Sequence, residues 1–285
     1  MQQHNRQQIP SRKLPQLIYK KTRIVLNLNI NARTKAVLIH LAASIVVAGL
    51  LAAFVFGLWY PAPYRELAGG AFLFIVIMTV DLFCGPALTA VVFDTNKSRT
   101  ELLTDLGVIV CIQLAVLVYG VYSVFVARPV AEIFEVDRMV VVTAAQIDTD
   151  TLDGAPEEFR QLPINGKIFL LSTRTSRSAA EEMQSALLSM QGIEPSARPD
   201  WWQPFADAQP AIRQAMLPIK ALLERVSSSA SRKIEASVEQ TGLSADDVYY
   251  LPLVSFENKD AYIRLFDKDA NIIGYVQADG FLVER

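Results

Sequence analysis

The sequence predicts a membrane protein with three transmembrane helices followed by an α+β domain that contains an antiparallel sheet. Three apolar windows, residues 36–58, 70–93 and 106–126, hold most of the hydrophobic excess of the 285-residue chain. Each has about the 20 residues that a helix needs to span roughly 30 Å of hydrocarbon. Strand and helix patterns alternate after residue 127, as in a folded domain. Three buried helices of a soluble bundle are less favoured, because such helices usually keep a polar face.

The charges that flank the windows predict the orientation of the chain. Residues 1–35 carry eight basic residues and no acidic residue, and flanks rich in Lys and Arg stay in the cytoplasm. We therefore expect a cytoplasmic N-terminus, an outer first loop, an inner second loop and an outer C-terminal domain. Trp59, Tyr60 and Tyr64 suit an aromatic belt at the outer interface.

The basic segment 1–35 is expected to be a cytoplasmic tail that is largely disordered, with the organised part of the chain beginning near Asn31. An alternative is that part of the tail lies on anionic lipid through its basic residues. A cleaved signal peptide is less favoured for the first window. That window is longer than the roughly 7–15 apolar residues of a signal core, and no small-x-small site ends it.

The region 128–285 differs in kind from the membrane half. It carries 16 Lys and Arg against 24 Asp and Glu. It therefore lacks the excess of positive charge that binding to nucleic acid or to an anionic bilayer requires. Its length is sufficient for a core of its own. We expect this region to be a single outer α+β domain.

Local patterns place the elements of this domain. Apolar and β-branched residues predict strands at 134–144 and 167–172 and an antiparallel meander near the C-terminus, with turns at Glu257 to Asp260 and Asp267 to Asn271. Ser178 and Glu181 form a capping-box pattern that starts a helix, which Gly192 ends. This helix presents Met183, Leu187 and Met190 on one face. Prolines divide residues 204–226 into short helices, and a further helix from about Ala230 ends at Gly242.

Groups for catalysis or metal binding are scarce in this sequence. The two histidines are His4 and His40, and the two cysteines, Cys84 and Cys111, lie in the second and third windows. The outer domain therefore lacks the groups for a Ser-His-Asp triad, a thiol nucleophile or a cysteine-histidine zinc site. Residues 267–278 begin like a calcium loop but lack its Gly and its final Glu. We expect no catalytic site, no cofactor and no metal.

One polar site lies inside the second window. Asp81 precedes the helix-breaking pair Gly85-Pro86, and a charged carboxylate at mid-bilayer costs at least about 2.5–3.5 kcal/mol. Counting residues from each end places Asp81 at a depth comparable with that of Gln113 in the third window. We expect the two side chains to face each other, with a kink or close helix crossing at Pro86. The further candidate partners are Thr79, Thr89 and Tyr119. A purely structural role in holding the bundle together is the favoured interpretation.

Four residues of the outer half are candidate partner contacts. Arg128 emerges from the third window, where it either snorkels to lipid headgroups or contacts a partner. Arg138 forms either a local ion pair with Asp137 or a surface contact. Trp201 and Trp202 are either packed in the core or exposed as an adhesive patch.

Several motifs of the chain are similar to those of a known family. They are RTKAVLIHLAASIVV, LWYPAPY, VDLFCGPALTAVVF, LAVLVYGVYSVFVARPV and FEVDRMVVV, followed by the looser QLPINGK, ARPDWWQPF and YLPLVSF. Together they resemble the TfpX/TfpZ family of type IV pilin accessory proteins over nearly all of the chain from Asn31. The most specific pattern is D-x-x-x-G-P-x-L-T followed by A-R-P and V-D-R. The basic tail departs from the short start that is usual in the family.

The resemblance implies a bacterial inner-membrane protein that promotes pilus assembly without becoming a filament subunit. It implies no catalytic activity. The implied partners are a type IV pilin and membrane lipid, with the pilus assembly machinery as a further candidate. Under this hypothesis, the helix bundle holds the apolar helix of the pilin while the periplasmic domain docks on the pilin head.

Two other classes of function compete with this hypothesis. A membrane enzyme that modifies pilin or an envelope glycan or lipid would need a polar cluster at the membrane surface, and the loops supply few such residues. A membrane-anchored periplasmic ligand sensor would need an output domain, for which a tail and a loop of residues 94–105 offer too little.

Overall fold

The computed structural model describes residues 31–256 and 262–281, and it confirms the predicted class. Three long apolar helices precede a domain of mixed sheet and helices, and all three have the length and hydropathy to cross a membrane. The basic tail before Asn31 and the turn at 257–260 lie outside the described residues. The helices of the membrane half are α1 (Ala32–Phe54), α2 (Tyr64–Leu67), α3 (Gly70–Val92) and α4 (Arg99–Val126).

The ends of these helices follow from local chemistry. α1 continues as one π-helical turn, Val55–Trp59, before the first loop. α4 begins at Arg99, well before the apolar window at 106, because Ser98 and Glu101 form a capping box. The Ser98 hydroxyl accepts the Glu101 N–H and the Glu101 carboxylate accepts the Ser98 N–H. The first turns of α4 are therefore polar and extend the helix beyond the predicted span.

The three long helices form a layer with α3 in the middle. α3 packs against both α1 and α4, whereas α1 and α4 form no extended interface with each other among the described residues. The end of the layer nearest the first loop is the best packed. There the buried Tyr60 hydroxyl donates to the Val124 carbonyl at 2.8 Å, and the Tyr60 ring occupies the space that a side chain at Gly70 would need. Aromatic packing thus joins α1, α3 and α4 at this end.

An eight-stranded mixed sheet forms the centre of the C-terminal domain. Seven strands lie in the order β4-β3-β1-β2-β6-β7-β8, and β5 pairs with β6. The strands are β1 (Pro129–Glu135), β2 (Arg138–Thr143), β3 (Phe169–Thr173), β4 (Trp202–Pro204), β5 (Leu217–Pro218), β6 (Tyr249–Ser255), β7 (Tyr262–Phe266) and β8 (Ile272–Val276). β1 is parallel to β3 and β2 is parallel to β6, while the other pairs are antiparallel.

Two details of the sheet differ from the sequence-based prediction. The sheet is mixed where an antiparallel one was expected, because long connections before β3 and β6 allow parallel pairing. The segment 134–144 was taken as one strand, but it turns sharply at Val136 and pairs with itself as β1 and β2. The terminal meander of β6, β7 and β8 is antiparallel as predicted, and the Asp267 carboxylate accepts backbone N–H groups in the turn that leads to β8.

The helices of the domain pack on this sheet, and the two within residues 204–226 are short, as the prolines predicted. The domain helices are α5 (Ala179–Ser189), α6 (Gln209–Ala215), α7 (Ile219–Leu223) and α8 (Ser228–Thr241). Ser178 caps α5 by accepting the Glu181 N–H, and α8 ends at Gly242 in a left-handed conformation. Ile234 and Val238 of α8 contribute to a core that covers β7 and β8. A second core lies near α6 and contains Leu67 from the first loop, so the membrane half and the domain share one hydrophobic core.

Candidate functional site

The short helix α2 of the first loop docks against the sheet of the C-terminal domain. Its Leu67 side chain is fully buried among Met139, Leu251 and Phe266, which come from three different strands. The Leu67 carbonyl accepts a hydrogen bond from the Ser255 hydroxyl at the end of β6. Since α2 connects α1 to α3, this contact attaches the domain to two membrane helices in addition to α4.

A buried ion pair lies at the centre of this contact. Glu132 of β1 and Arg264 of β7 are 1% and 7% exposed, and the Arg264 Nε donates to the Glu132 carboxylate at 2.6 Å. A second guanidinium nitrogen contacts the other carboxylate oxygen, so the pair is bidentate. The Tyr64 hydroxyl of α2 donates to the same carboxylate at 2.6 Å and accepts from Arg264 at 2.9 Å. We call Tyr64, Glu132 and Arg264 the junction triad.

The junction triad is stable because each charged group is satisfied. Burial by itself lowers the pKa of Arg264, but the Glu132 carboxylate outweighs this effect and the pKa is raised on balance. Burial and the neighbouring Glu132 carboxylate raise the pKa of the Tyr64 hydroxyl, which stays protonated and can donate. A buried ion pair has a high desolvation cost, so it stabilises a structure only when its geometry is complete. Tyr64 completes that geometry only when α2 is docked.

A second contact between α2 and the sheet lies beside the triad. The Tyr262 hydroxyl donates to the Glu66 carboxylate. Burial and this carboxylate raise the pKa of the Tyr262 hydroxyl. Tyr64, Glu66 and Leu67 therefore all bind β-strands, so three of the four residues of α2 contact the sheet.

The end of α1 makes a separate seam with the segment 163–166. The Trp59 indole N–H donates to the Ile164 carbonyl at 3.0 Å. Gly166 has a φ of +77°, and a Cβ there would overlap the Leu58 carbonyl oxygen. Only glycine combines this backbone conformation with so close an approach. The LWY and PING motifs of the sequence thus meet at the point where the first span ends.

Arg128 belongs to this seam and does not extend towards lipid. It is buried, its Nε donates to the Pro163 carbonyl at 3.0 Å, and a terminal nitrogen donates to the Phe125 carbonyl at 2.7 Å. The guanidinium also lies 3.8 Å from the centre of the Phe125 ring. The expectation that Arg128 snorkels to headgroups is therefore wrong for this structure, because its guanidinium donates to the Pro163 carbonyl of the segment 163–166 and to the Phe125 carbonyl at the end of α4.

Inside the membrane half, three helices meet at Gly85 of α3. A Cβ at this position would overlap the Gln113 side-chain amide of α4 and lie 2.9 Å from the His40 Nε2 of α1. The His40 Nδ1 lies 2.6 Å from the Thr89 hydroxyl oxygen, one turn along α3. Gly85 therefore permits both neighbours to approach, and Pro86 is buried next to it within a continuous helix.

Asp81 lies one turn away from this contact point and is partly buried. No hydrogen bond joins Asp81 to Gln113 in the described part of the chain, so Gln113 meets Gly85 where Asp81 was expected. The sequence-based prediction missed His40 because residue counting placed it near the inner end of the first span. His40 and Thr89 meet because α1 and α3 pack side by side in antiparallel directions. The prediction compared residue depths in α3 and α4 only, so it did not pair a residue of α1 with one of α3. The polar role of Asp81 itself stays a prediction.

Trp201 and Trp202 are buried, at 5% and 3% exposure, so they do not form the exposed adhesive patch. The Trp202 indole N–H donates to the Ser196 carbonyl at 2.9 Å. The guanidinium groups of Arg174 and Arg198 each lie 4.6 Å from the centre of the Trp201 ring. The tryptophan pair therefore packs within the domain, which was the alternative interpretation.

The same arginines hold helix α5 in place. Arg174 donates to both Glu181 carboxylate oxygens, at 3.1 and 2.7 Å, and Arg198 donates to the Ser185 hydroxyl at 3.3 Å. These hydrogen bonds from Arg174, together with the Arg177 N–H, lower the pKa of the Glu181 carboxyl to about 2. Trp201 thus supports α5 through the two arginines that lie over its ring.

Arg138 forms the local ion pair that was one of its two predicted roles. Its Nε lies 2.7 Å from the Asp137 carboxylate, and its guanidinium lies over the Phe281 ring. No group of three or more His, Cys, Asp or Glu side chains suited to a metal ion occurs among residues 31–256 and 262–281.

The junction triad was missed by sequence reasoning, although a signal for it exists. Glu132 interrupts the otherwise apolar strand PVAEIFE, and Arg264 interrupts AYIRLF. A single charged residue within a strand that is buried on both sides indicates a buried partner of opposite charge. The sequence alone does not pair two residues so far apart, and it gives no reason to add Tyr64 from another loop.

Removing one member of the buried pair should strongly destabilise the protein. We expect Glu132→Gln to lower the free energy of unfolding by about 3–5 kcal/mol, because Arg264 is left buried without a counter-charge. The double variant Glu132→Leu with Arg264→Met should recover much of this loss. Thermal unfolding of the full chain in detergent measures both. Lys220→Met is the control, because Lys220 and Asp246 form an exposed pair whose loss should cost less than about 1 kcal/mol. Equal losses in Glu132→Gln and Lys220→Met would contradict the role of the triad.

Gly166→Ala should destabilise the seam more than an equivalent change elsewhere. Gly192 also has a positive φ, of +85°, but a Cβ there has nothing within 4 Å. Gly192→Ala is therefore expected to cost only the roughly 1–2 kcal/mol of the left-handed backbone. Gly166→Ala adds the overlap with the Leu58 carbonyl, so its melting temperature should fall further. Similar melting temperatures for the two variants would show that the seam adapts.

The low pKa of the Glu181 carboxyl predicts that acid destabilises helix α5. The folded-state pKa of about 2 is below the ordinary value of 4.5, so the interaction is fully present above about pH 4.5 and is lost as the pH falls towards 2. Amide-exchange protection of residues 179–189 should fall through this range in the wild type. Glu181→Gln should show, at every pH, the low protection that the wild type shows only at acid pH. Glu182→Gln changes an exposed neighbouring position and should match the wild type. Unchanged protection in Glu181→Gln would rule out this anchor.

Comparisons with known proteins place the chain among fimbrial assembly proteins. The family model described as fimbrial assembly protein FimB matches residues 28–69, which include α1, α2 and the loop between them. The chain is 33% identical over 243 residues to the serogroup I fimbrial assembly protein of Dichelobacter nodosus, covering 85% of this chain and 94% of that protein.

Two further relatives from Dichelobacter nodosus extend this result. The serogroup E1 fimbrial assembly protein is 32% identical over 243 residues, with coverage of 85% of this chain and 94% of that protein. The protein of serogroups C1 and C2 is 39% identical over 117 residues, which are 41% of this chain and 89% of that protein. No solved structure matches the chain. Because two of these relatives are at least 32% identical to the chain over 85% of its length, the chain belongs to the fimbrial assembly protein FimB family.

Proposed function

We propose that the protein is a non-catalytic accessory protein of the bacterial inner membrane that assists type IV pilus assembly by holding a pilin subunit. The names of its relatives support a role in fimbrial assembly. The observation that carries the mechanism is the junction triad, which attaches the C-terminal domain rigidly to the end of the membrane helices. A partner with one apolar helix and one globular head would meet both parts at a defined distance and angle.

The membrane half offers a position for a partner helix. α3 lies between α1 and α4, and the latter two form no extended interface within the described residues. Close packing, small residues and hydrogen bonds drive association between helices in lipid, because burial of apolar surface gains little there. A pilin helix would lie beside α3 on the face opposite Gly85, because the His40 and Gln113 side chains already occupy the Gly85 face.

The C-terminal domain offers the second contact, with the pilin head. The first loop and this domain lie at the same end of the helices, since α2 binds the sheet. The second loop, which follows α3, lies at the opposite end. We take the basic tail to be cytoplasmic, as its charge predicts, so in this proposal the domain lies in the periplasm together with the pilin head. The acidic charge of residues 128–285 favours a partner with basic groups.

Deletion of the gene should remove pili while pilin remains in the membrane. The reason is that a holding protein acts after synthesis and before polymerisation. Counting pili by electron microscopy and measuring pilin by immunoblot gives the two quantities. In the complemented strain, pilin should co-purify with the full-length protein in mild detergent, and the mass of pilin should be the same with and without the protein.

The alternatives give different results in the same experiment. A pilin of altered mass in the deletion strain would indicate a modifying enzyme. A normal number of pili in the deletion strain, with no pilin co-purified from the complemented one, would refute the proposed function. A complementing Glu132→Gln protein is informative where it is still present in the membrane, because a loosened junction should reduce co-purified pilin.

A further inference from the structure

Helix α5 carries an apolar face that no other described part of the chain covers. Met183, Leu187 and Met190 follow the spacing of one helix face and are 64%, 54% and 84% exposed. The helix itself is firmly held from the other side by Arg174, Arg198 and the Ser178 cap. The helix is therefore ordered, and its exposed apolar face has a fixed position. Contiguous apolar side chains on a rigid element are typical of contact surfaces.

The end of this helix borders a groove of about 1120 Å³. Met190 lies on one side of it, and the tip of the β1–β2 hairpin and the end of β6 lie on the others, with Val136 and Phe256 exposed. We call the exposed face of α5 together with this groove the α5 groove. Its apolar surface continues from the helix to two strands of the sheet, which makes it wide enough for a segment of another protein.

Val136 at the hairpin tip has an unusual conformation for its residue type. It has a φ of +58° and is 79% exposed, and the Asp137 N–H donates to the Glu135 carbonyl at 2.7 Å across it. A β-branched residue is rare in this conformation, which glycine or asparagine adopts with less strain. An apolar side chain that costs stability and stays exposed among residues 31–256 and 262–281 is a candidate for contact with another molecule.

The charged residues of the groove give the chemistry of its occupant. Glu194 and Asp279 line it and are exposed. Arg138 is the single basic residue among the described residues that line the groove, and it pairs with Asp137. Glu135 also lines the groove, so its acidic residues outnumber its one described basic residue, and Val140, Val141 and Val142 of β2 supply apolar surface within it. Such a surface favours an apolar segment that carries a neighbouring lysine or arginine.

We infer that the α5 groove is the docking site for the pilin head, and that it binds an apolar segment of the head flanked by a basic residue. This inference rests on the proposed function and adds to it the surface and the kind of segment. It also replaces the tryptophan pair as the contact. Trp201 lies beneath the surface and positions α5, while the exposed methionines and leucine make the contact.

Site-specific crosslinking in cells that make both proteins tests the position of the groove. The full-length protein is used with Cys84→Ala and Cys111→Ala, so that a single cysteine carries a benzophenone probe. Probes at Met190→Cys and Leu187→Cys should give adducts that contain pilin. A probe at Ala236→Cys, on the exposed side of α8, is the control and should give none. The adducts are identified by mass spectrometry of their peptides.

Substitutions test the chemistry of the same groove. Met190→Asp should reduce the pilin that co-purifies by at least about fivefold. Glu194→Gln with Asp279→Gln should reduce it most at low salt, and the difference from the wild type should shrink as the salt concentration rises, because salt screens the attraction that the two carboxylates supply. Val136→Gly should raise the melting temperature by a few degrees and still reduce co-purified pilin. Ala270→Gly is the control for co-purification. Ala270 also has a positive φ, of +63°, but its turn does not line the groove, so this variant should leave the amount of co-purified pilin unchanged.

Each outcome decides one of the two hypotheses. Pilin adducts at the α5 positions and none at Ala236→Cys support the inference. Adducts with residues 282–285 of the same chain, or with a second copy, overturn it. Pilin that co-purifies normally with Met190→Asp and Val136→Gly also overturns it and leaves the proposed function intact. Failure of pilin to co-purify with the wild type, with normal pili in the deletion strain, refutes the proposed function itself.

Discussion

The buried pair of Glu132 and Arg264, completed by Tyr64, is the constraint on which the arrangement of the molecule depends. The two charged residues lie on strands β1 and β7, and the tyrosine arrives from the loop between α1 and α3. A buried ion pair with incomplete hydrogen bonding is costly, so alternative positions of α2 on the sheet are unfavourable. The apolar contact of Leu67 supplies attraction, whereas the polar triad selects one position.

This division of roles explains how a membrane segment is attached to a folded domain. Hydrophobic burial is not directional, and α2 has only four residues, too few for a stable helix by itself. Its conformation depends on the sheet, and the position of the sheet depends on α2. The seam at Gly166 and Arg128 adds a second, independent contact at the end of α1 and α4. Two separated contacts prevent rotation of the domain about the exit of α4.

Local patterns in the sequence predicted the elements better than the contacts between them. Length and hydropathy predicted three spanning helices, and Ser178, Gly242 and the prolines predicted where domain helices begin and end. The hairpin at Val136 escaped prediction because its turn has neither Gly nor Asn. The junction triad was not predicted for a different reason. Its three residues lie in segments that are distant in the sequence, and only the order of the strands brings them together. The sequence left the role of Trp201 open between packing and partner contact, because aromatic residues beside prolines occur both on surfaces and, as here, in packed cores.

The same structure that fixes the domain also sets which surfaces a partner can reach. The open side of the helix layer and the α5 groove belong to bodies that cannot rotate freely, so a partner anchored in lipid by one helix has restricted access to the domain. In the proposed function, tethering of the pilin helix would raise the effective concentration of the pilin head at the groove, so that a weak contact at each site would be enough to hold the subunit. Such binding is reversible when either contact is released. A protein that delivers subunits to a growing filament needs this property more than it needs high affinity at any single surface.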